Sequence, residues 1–178
     1  MQSFLTLFLF DIVLGFILQA TGCAICLFAF TKQPLKSQAF LTTSVIFSAI
    51  AVGVRLICNY GLIDFGFHTI LIWIIFVIVA IMYNKLPVMQ STVSIMLSGL
   101  LIVVTEVIAA AALTVILGTE EFNAMMDNTA TVEGQITRAA YGIPMNVLFV
   151  LASLLLYVIL KKRAARLAAA AAAKAETP

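Results

Sequence analysis

Polar and charged positions interrupt this chain at only a few places, and the apolar stretches between them approach the thickness of a membrane. A hydrocarbon layer of roughly 30 Å takes about 20 helical residues to cross. The runs over residues 4–30, 39–58, 68–83, 91–117 and 141–160 reach or approach that length. They are too long for strands and predict an all-α integral membrane bundle of five transmembrane helices. The first and fourth runs are long enough to tilt or protrude, and the short third run gains length by extending into residues 64–67.

The interruptions are sorted by charge. Lys32 and Lys36 separate the first two runs, Lys85 separates the third from the fourth, and Lys161, Lys162, Arg163, Arg166 and Lys174 follow the fifth. All 10 basic residues except Arg55 and Arg138 therefore fall on one side, which the positive-inside rule makes cytoplasmic. Asp64, Glu120, Glu121, Asp127 and Glu133 fall in the alternate connections, which places the N-terminus outside and the C-terminus in the cytoplasm. Pro34 and Pro87 stand in the two inner turns, where helices must stop. In the outer connection over 118–140, Phe122, Met125 and Met126 recur at helical spacing. That segment is either a short amphipathic surface helix over 120–126 or a disordered polar loop. The alanine-rich stretch 164–178 reads as a helical or disordered cytoplasmic tail beyond the membrane domain of residues 1–163.

Composition narrows the class. Of 178 residues, 63% are hydrophobic and 10% charged, and the mean hydropathy is +1.16. These values exclude a water-soluble fold. The first run lacks a basic leader and a small-residue cleavage pattern, so it is expected to stay as a helix and not to be removed as a signal peptide. Cys23 and Cys26 form a C-x-x-C, but no second ligand pair and no βαβ context accompany them. With Cys58 they read as small buried side chains, and no metal site or cofactor is expected. With one histidine, no H-E-x-x-H, no G-x-S-x-G and no phosphate loop, the chain offers nothing for enzymatic chemistry. Nucleic acid has no basic face to bind, and the expected surroundings are the lipid bilayer of a bacterial cytoplasmic membrane.

An ionisable side chain within a bilayer costs about 3 kcal/mol on insertion scales and needs a partner, water or a function. Asp11, Arg55, His68 and Glu106 are such residues, and Arg138 stands just before the fifth run. From the helical rise, Asp11 lies about 10 Å and Glu106 about 16 Å inward from the outer ends of their runs. The first four fall in the outer half with complementary signs, Arg55 able to pair with Asp11 or Glu106 and Arg138 able to complete a polar cluster at the outer mouth of the bundle. One reading is a set of salt bridges locking helices together; the other is a polar pocket open to a small ligand from outside. Glu106, among Val103, Val104, Val107 and Ile108, is the leading candidate for a proton-responsive group unless an arginine holds it ionised. His68 is either a titrating switch or an interfacial hydrogen-bonder. Small residues, Gly15, Gly22, Ser48, Gly53 and Ala109 to Ala112, permit close helix approach within the bundle or between copies.

Val54-Arg55-Leu56, the turn Gly66-Phe67-His68-Thr69, Asn84-Lys85-Leu86-Pro87, the intramembrane Glu106 and Gly142-Ile143-Pro144 carry a resemblance. Over residues 1–163 the chain resembles the five-span N-terminal membrane domain of Firmicute sensor histidine kinases of the GHKL-ATPase type. The resemblance implies a bundle framed by Arg55, His68, Glu106 and Pro144 that passes a signal through its last helix to a dimeric cytoplasmic kinase. No phosphoacceptor or ATP-binding boxes follow residue 163, so the chain is part of something longer, a stand-alone sensor or a membrane subunit working with a separate protein. The expected function is a membrane sensor module coupled to a cytoplasmic signalling protein or acting as a homodimer. The alternatives are a small-molecule-binding subunit of a transporter and a structural subunit of a membrane complex.

Overall fold

The computed structural model describes residues 15–59, 67–127 and 131–175. The described residues are helical and contain no strand. The elements are α1 (Ile17–Phe30), α2 (Gln38–Asn59), α3 (Phe67–Met82), α4 (Val88–Leu117), α5 (Thr119–Asp127) and α6 (Val132–Ala175). Three of them are long and apolar enough to cross a membrane: α2 over Gln38–Ile57, α4 over Val88–Leu117 and α6 over Ala140–Ala171. The described parts of the other two apolar helices, 14 residues in α1 and 16 in α3, are shorter than a span. The expectation of five spans therefore reduces, on length and composition, to three, because about 21 Å and 24 Å of helix fall short of a 30 Å layer.

Helix α1 is the hub. It packs against α2, α4 and α6, while α3 closes the ring by bridging α2 and α4, and α4 also meets α6. Phe28 of α1, Phe47 of α2, Phe76 of α3 and Phe149 of α6 are the largest fully buried side chains among the described residues. Phe47 of α2 stacks on Phe76 of α3 at 3.9 Å between centroids, and Phe28 meets Phe40 edge-on at 5.4 Å. Where α1 crosses α6, a Cβ at Gly22 would collide with the Phe149 ring. Where α3 crosses α4, a Cβ at Gly99 would lie 2.5 Å from Trp73. Each glycine is thus the socket for one aromatic ring, which lets two backbones approach closely.

The distribution of polarity is the reverse of a water-soluble protein. The buried face of α4 is Ser91, Ser94, Ile95, Ser98, Gly99, Ile102 and Thr105, while Val103, Val104, Val107, Ile108, Val115 and Ile116 are exposed. A helix that hides its hydroxyls and shows its aliphatics gains nothing from water, and this is how a membrane protein presents itself to lipid.

The turns explain the helix ends. Lys32 (φ 57) closes α1 in the left-handed conformation, with its N–H donating to Ala29 and that of Gln33 donating to Phe28. These are the two bonds of a Schellman cap, a position glycine normally occupies because a Cβ there costs about 1–2 kcal/mol. Lys85 (φ 52) repeats the left-handed conformation between α3 and α4, and Gly118 (φ 87) ends α4. The segment after α4 resolves as a helix, α5, with Glu120 and Glu121 in its first turn. There their charge complements the helix dipole, and no α5 residue is buried. α6 begins nine residues before the expected fifth run and continues through the basic cluster to Ala175 as one 44-residue helix, with Pro144 inside it.

Candidate functional site

The interior of the α1–α4–α6 contact is a seam of small hydroxyls and thiols. Ser153 donates to the Phe149 carbonyl at 2.8 Å and accepts from the Cys26 thiol at 3.4 Å. Ser98 lies 2.7 Å from the Ile95 carbonyl and 3.6 Å from Cys23 Sγ. Its single hydrogen goes to the nearer and stronger acceptor, so the Cys23 thiol points at the hydroxyl oxygen as its counterpart does at Ser153. Ser94 and Thr105 likewise return their hydrogens to carbonyls of α4. These four hydroxyls each bond within their own helix, whereas Ser91 Oγ on the same face is buried without a hydrogen-bond partner, and the seam packs helices closely without exposing a reactive group. Cys23 and Cys26 are buried and free, and no group of three or more metal-ligating side chains occurs among the described residues.

At the turn end of α2 and α3, Thr43 Oγ1 is 2.7 Å from the Ala39 carbonyl and 3.0 Å from the Asn84 side-chain oxygen. One hydroxyl hydrogen cannot serve both, and Asn84 Nδ2 is buried without a partner as oriented. Rotating that amide by a half turn lets nitrogen donate to Thr43 and removes both conflicts. This bond ties the α3–α4 turn to α2.

The charged candidates divide. Arg55, half-buried on α2, stands with its guanidinium 5.5 Å from the centroid of the Phe16 ring, beside the π-helical turn at 15–16 that leads into α1. His68 is buried in the first turn of α3 and shares a 3.3 Å contact with Thr69 Oγ1. Arg55 near the end of α2 and His68 at the start of α3 lie at one end of the ring, because these successive helices pack against each other. Glu106 is elsewhere: it is exposed on the aliphatic face of α4, and α4 makes no contact with α2 among the described residues. Arg138 belongs to α6, with its side chain outside the described set, and Asp11 lies outside the described residues.

The bases, by contrast, converge. The α1–α2 turn meets α6 at a cleft lined by Lys32, Gln33, Pro34, Tyr157 and Lys161. Lys162, Arg163 and Arg166 follow on α6. Sequence reasoning assigned these lysines to topology and did not see a cavity between them; the left-handed lysine was the one available signal, and φ is not written in the sequence. It also passed over the Ser91, Ser94, Ser98, Thr105 stripe, whose helical spacing was readable. Comparison with protein families, curated proteins and solved structures finds no match for the chain.

Proposed function

We propose that the chain is the signal-input module of a bacterial cytoplasmic membrane system, with five spans, the N-terminus outside and the C-terminus in the cytoplasm. In this reading α1 completes its span with the apolar residues that precede it in sequence, and α3 crosses with local thinning of the bilayer. Arg55 and His68, at one end of the ring, are the core of the outer input site for a small ligand, an ion or a lipid headgroup. Asp11 and Arg138 are assigned to it from their positions in the sequence, Glu106 on the outward face of α4 stands apart from it, and a cytoplasmic signalling protein receives the output.

The observation that supports this reading is the continuity of α6. Forty-four residues in one helix extend about 66 Å, enough to run from the outer connection through the bilayer and out past the basic cluster. A displacement at one end of such a rod is felt at the other, provided the bundle has two packings a few kcal/mol apart. The test is a distance measurement by electron spin resonance between labels at Thr119→Cys and Ala168→Cys, in a Cys58→Ser background with the buried Cys23 and Cys26 left in place. The reading expects the distance to change by several ångströms with an external ligand or pH step in lipid nanodiscs. One fixed distance across peptides, ions, lipids and pH would sink it.

A second reading, a structural subunit or a homodimer, is favoured by Glu106. A carboxyl on an exposed aliphatic face within a span is costly against lipid and is best accommodated by a neighbouring protein surface.

A further inference from the structure

The cleft between the α1–α2 turn and α6 has a volume of about 170 Å³ and is lined by two lysines, a glutamine and a tyrosine over an apolar floor of Ala29, Pro34 and Leu160. No acidic residue lines it. Lys161 is exposed, and its Nζ lies 5.8 Å from the centroid of the Tyr157 ring, where the aromatic face favours an ammonium beside the cleft. Lys32 reaches the cleft from a left-handed backbone position. Lys85 takes the same conformation in the α3–α4 turn away from the cleft, so this geometry belongs to the tight turn that places Lys32 and not to a ligand.

We propose that this cleft binds the phosphodiester headgroup of an anionic inner-leaflet lipid. The inference rests on the orientation proposed above, which sets the cleft at the cytoplasmic interface. There the phosphate sits between Lys32 and Lys161, Gln33 and the Tyr157 hydroxyl supply hydrogen-bond donors, and the apolar floor meets the glycerol. A free phosphate would meet the same lysines but leave the apolar floor of Ala29, Pro34 and Leu160 unused, and this favours the lipid. A bound lipid would bridge the first turn and the long helix, the two elements that an inward signal must couple.

The test is lipid-dependent thermal stability of the whole protein in neutral detergent, titrated with phosphatidylglycerol, phosphatidylcholine or inorganic phosphate. Phosphatidylglycerol is expected to raise Tm saturably, because a ligand of the folded state stabilises it by mass action; the other two are expected not to. Each lysine should contribute a factor of roughly five in apparent affinity, so Lys32→Gly and Lys161→Ala each weaken the response about fivefold. Lys36→Ala and Lys85→Gly, which remove the same charge away from the cleft, should leave it intact. Lys32→Gly also relieves the left-handed Cβ, so its folding is secure even if the α6 variant is unstable. An equal response to inorganic phosphate, equal loss in the control variants, or no response at all overturns the proposal. Binding in micelles does not depend on orientation, which is read separately by labelling Lys36→Cys with an impermeant thiol reagent in inverted and right-side-out vesicles.

Discussion

Alanine at Gly22 and alanine at Gly53 are the same chemical change in two apolar helices, and the structure predicts opposite consequences. At Gly53 a Cβ finds nothing within 4 Å, so only backbone terms act. Alanine is favoured over glycine in a helix by up to about 1 kcal/mol, less where the unfolded reference in detergent keeps its helices. Gly53→Ala is expected to be neutral or stabilising by less than that amount. At Gly22 the added carbon would overlap the Phe149 ring, whose three nearest carbons all fall at or inside 3.0 Å. That ring is 1% exposed and has no room to retreat, so α1 and α6 must separate. Overpacking costs about 1–3 kcal/mol, and an overlap with a ring that cannot move belongs to the upper part of that range, about 2–3 kcal/mol, so subtracting about 1 kcal/mol of helix gain leaves a net loss of about 1–2 kcal/mol. The folded-to-unfolded ratio then falls by roughly 5–30-fold. The assay is reversible unfolding in mixed micelles with increasing SDS, followed by Trp73 fluorescence, on wild type, both single variants and Gly22→Ala/Phe149→Leu. Because the penalty belongs to the pair, trimming the ring should recover part of it as a coupling energy. A Gly22→Ala protein as stable as Gly53→Ala, or a double variant whose losses simply add, would refute the close crossing of α1 and α6.

Gly99→Ala should report through the single tryptophan, since the new methyl meets Trp73 at 2.5 Å; a shifted emission maximum in the folded state is expected, and an unchanged spectrum argues against the α3–α4 contact. Cys23 and Cys26 are both buried, so in a Cys58→Ser background the folded protein should resist maleimide labelling and react at two sites after SDS denaturation; rapid labelling when folded would show that the seam is open. Glu106→Leu should leave stability in detergent unchanged or raise it, because an exposed carboxylate on an aliphatic face has no packing to lose, whereas removing one partner of a buried ion pair costs about 3–5 kcal/mol. A loss of that size on melting would place Glu106 in a buried pair.

What could be read in advance was whatever depends on chain-local physics. The second run, expected over 39–58, is α2 at Gln38–Asn59, and the fourth, expected over 91–117, is α4 at Val88–Leu117, because an apolar helix continues until proline or glycine stops it. Alanine propensity likewise favoured the helical tail that α6 forms. The choice at 120–126 between surface helix and polar loop needed its setting: α5 touches both α4 and α6. The polar cluster was argued from depth and complementary charge, and neither says which helices are neighbours. Arg55 and Glu106 sit at compatible heights, yet the order of helices around α1 puts Glu106 on an outward face of α4 and leaves α2 and α4 without contact.

Hydropathy, propensity and charge, taken one residue at a time, were enough to show that this chain is helical and suited to lipid, roughly where α2 and α4 start and stop, and which connections hold the bases. Only the tertiary structure decided that α1 is the hub, that Gly22 and Gly99 are sockets for Phe149 and Trp73, that the α4 hydroxyls face inward and its carboxyl outward, and that Lys32 and Lys161, 129 positions apart in the chain, line one cleft. In a bilayer the face turned to lipid is as apolar as a core, so an apolar residue by itself no longer marks which face is buried. The face is chosen by shape, small residues receiving large ones, and shape complementarity between distant segments exists only once the helices are packed.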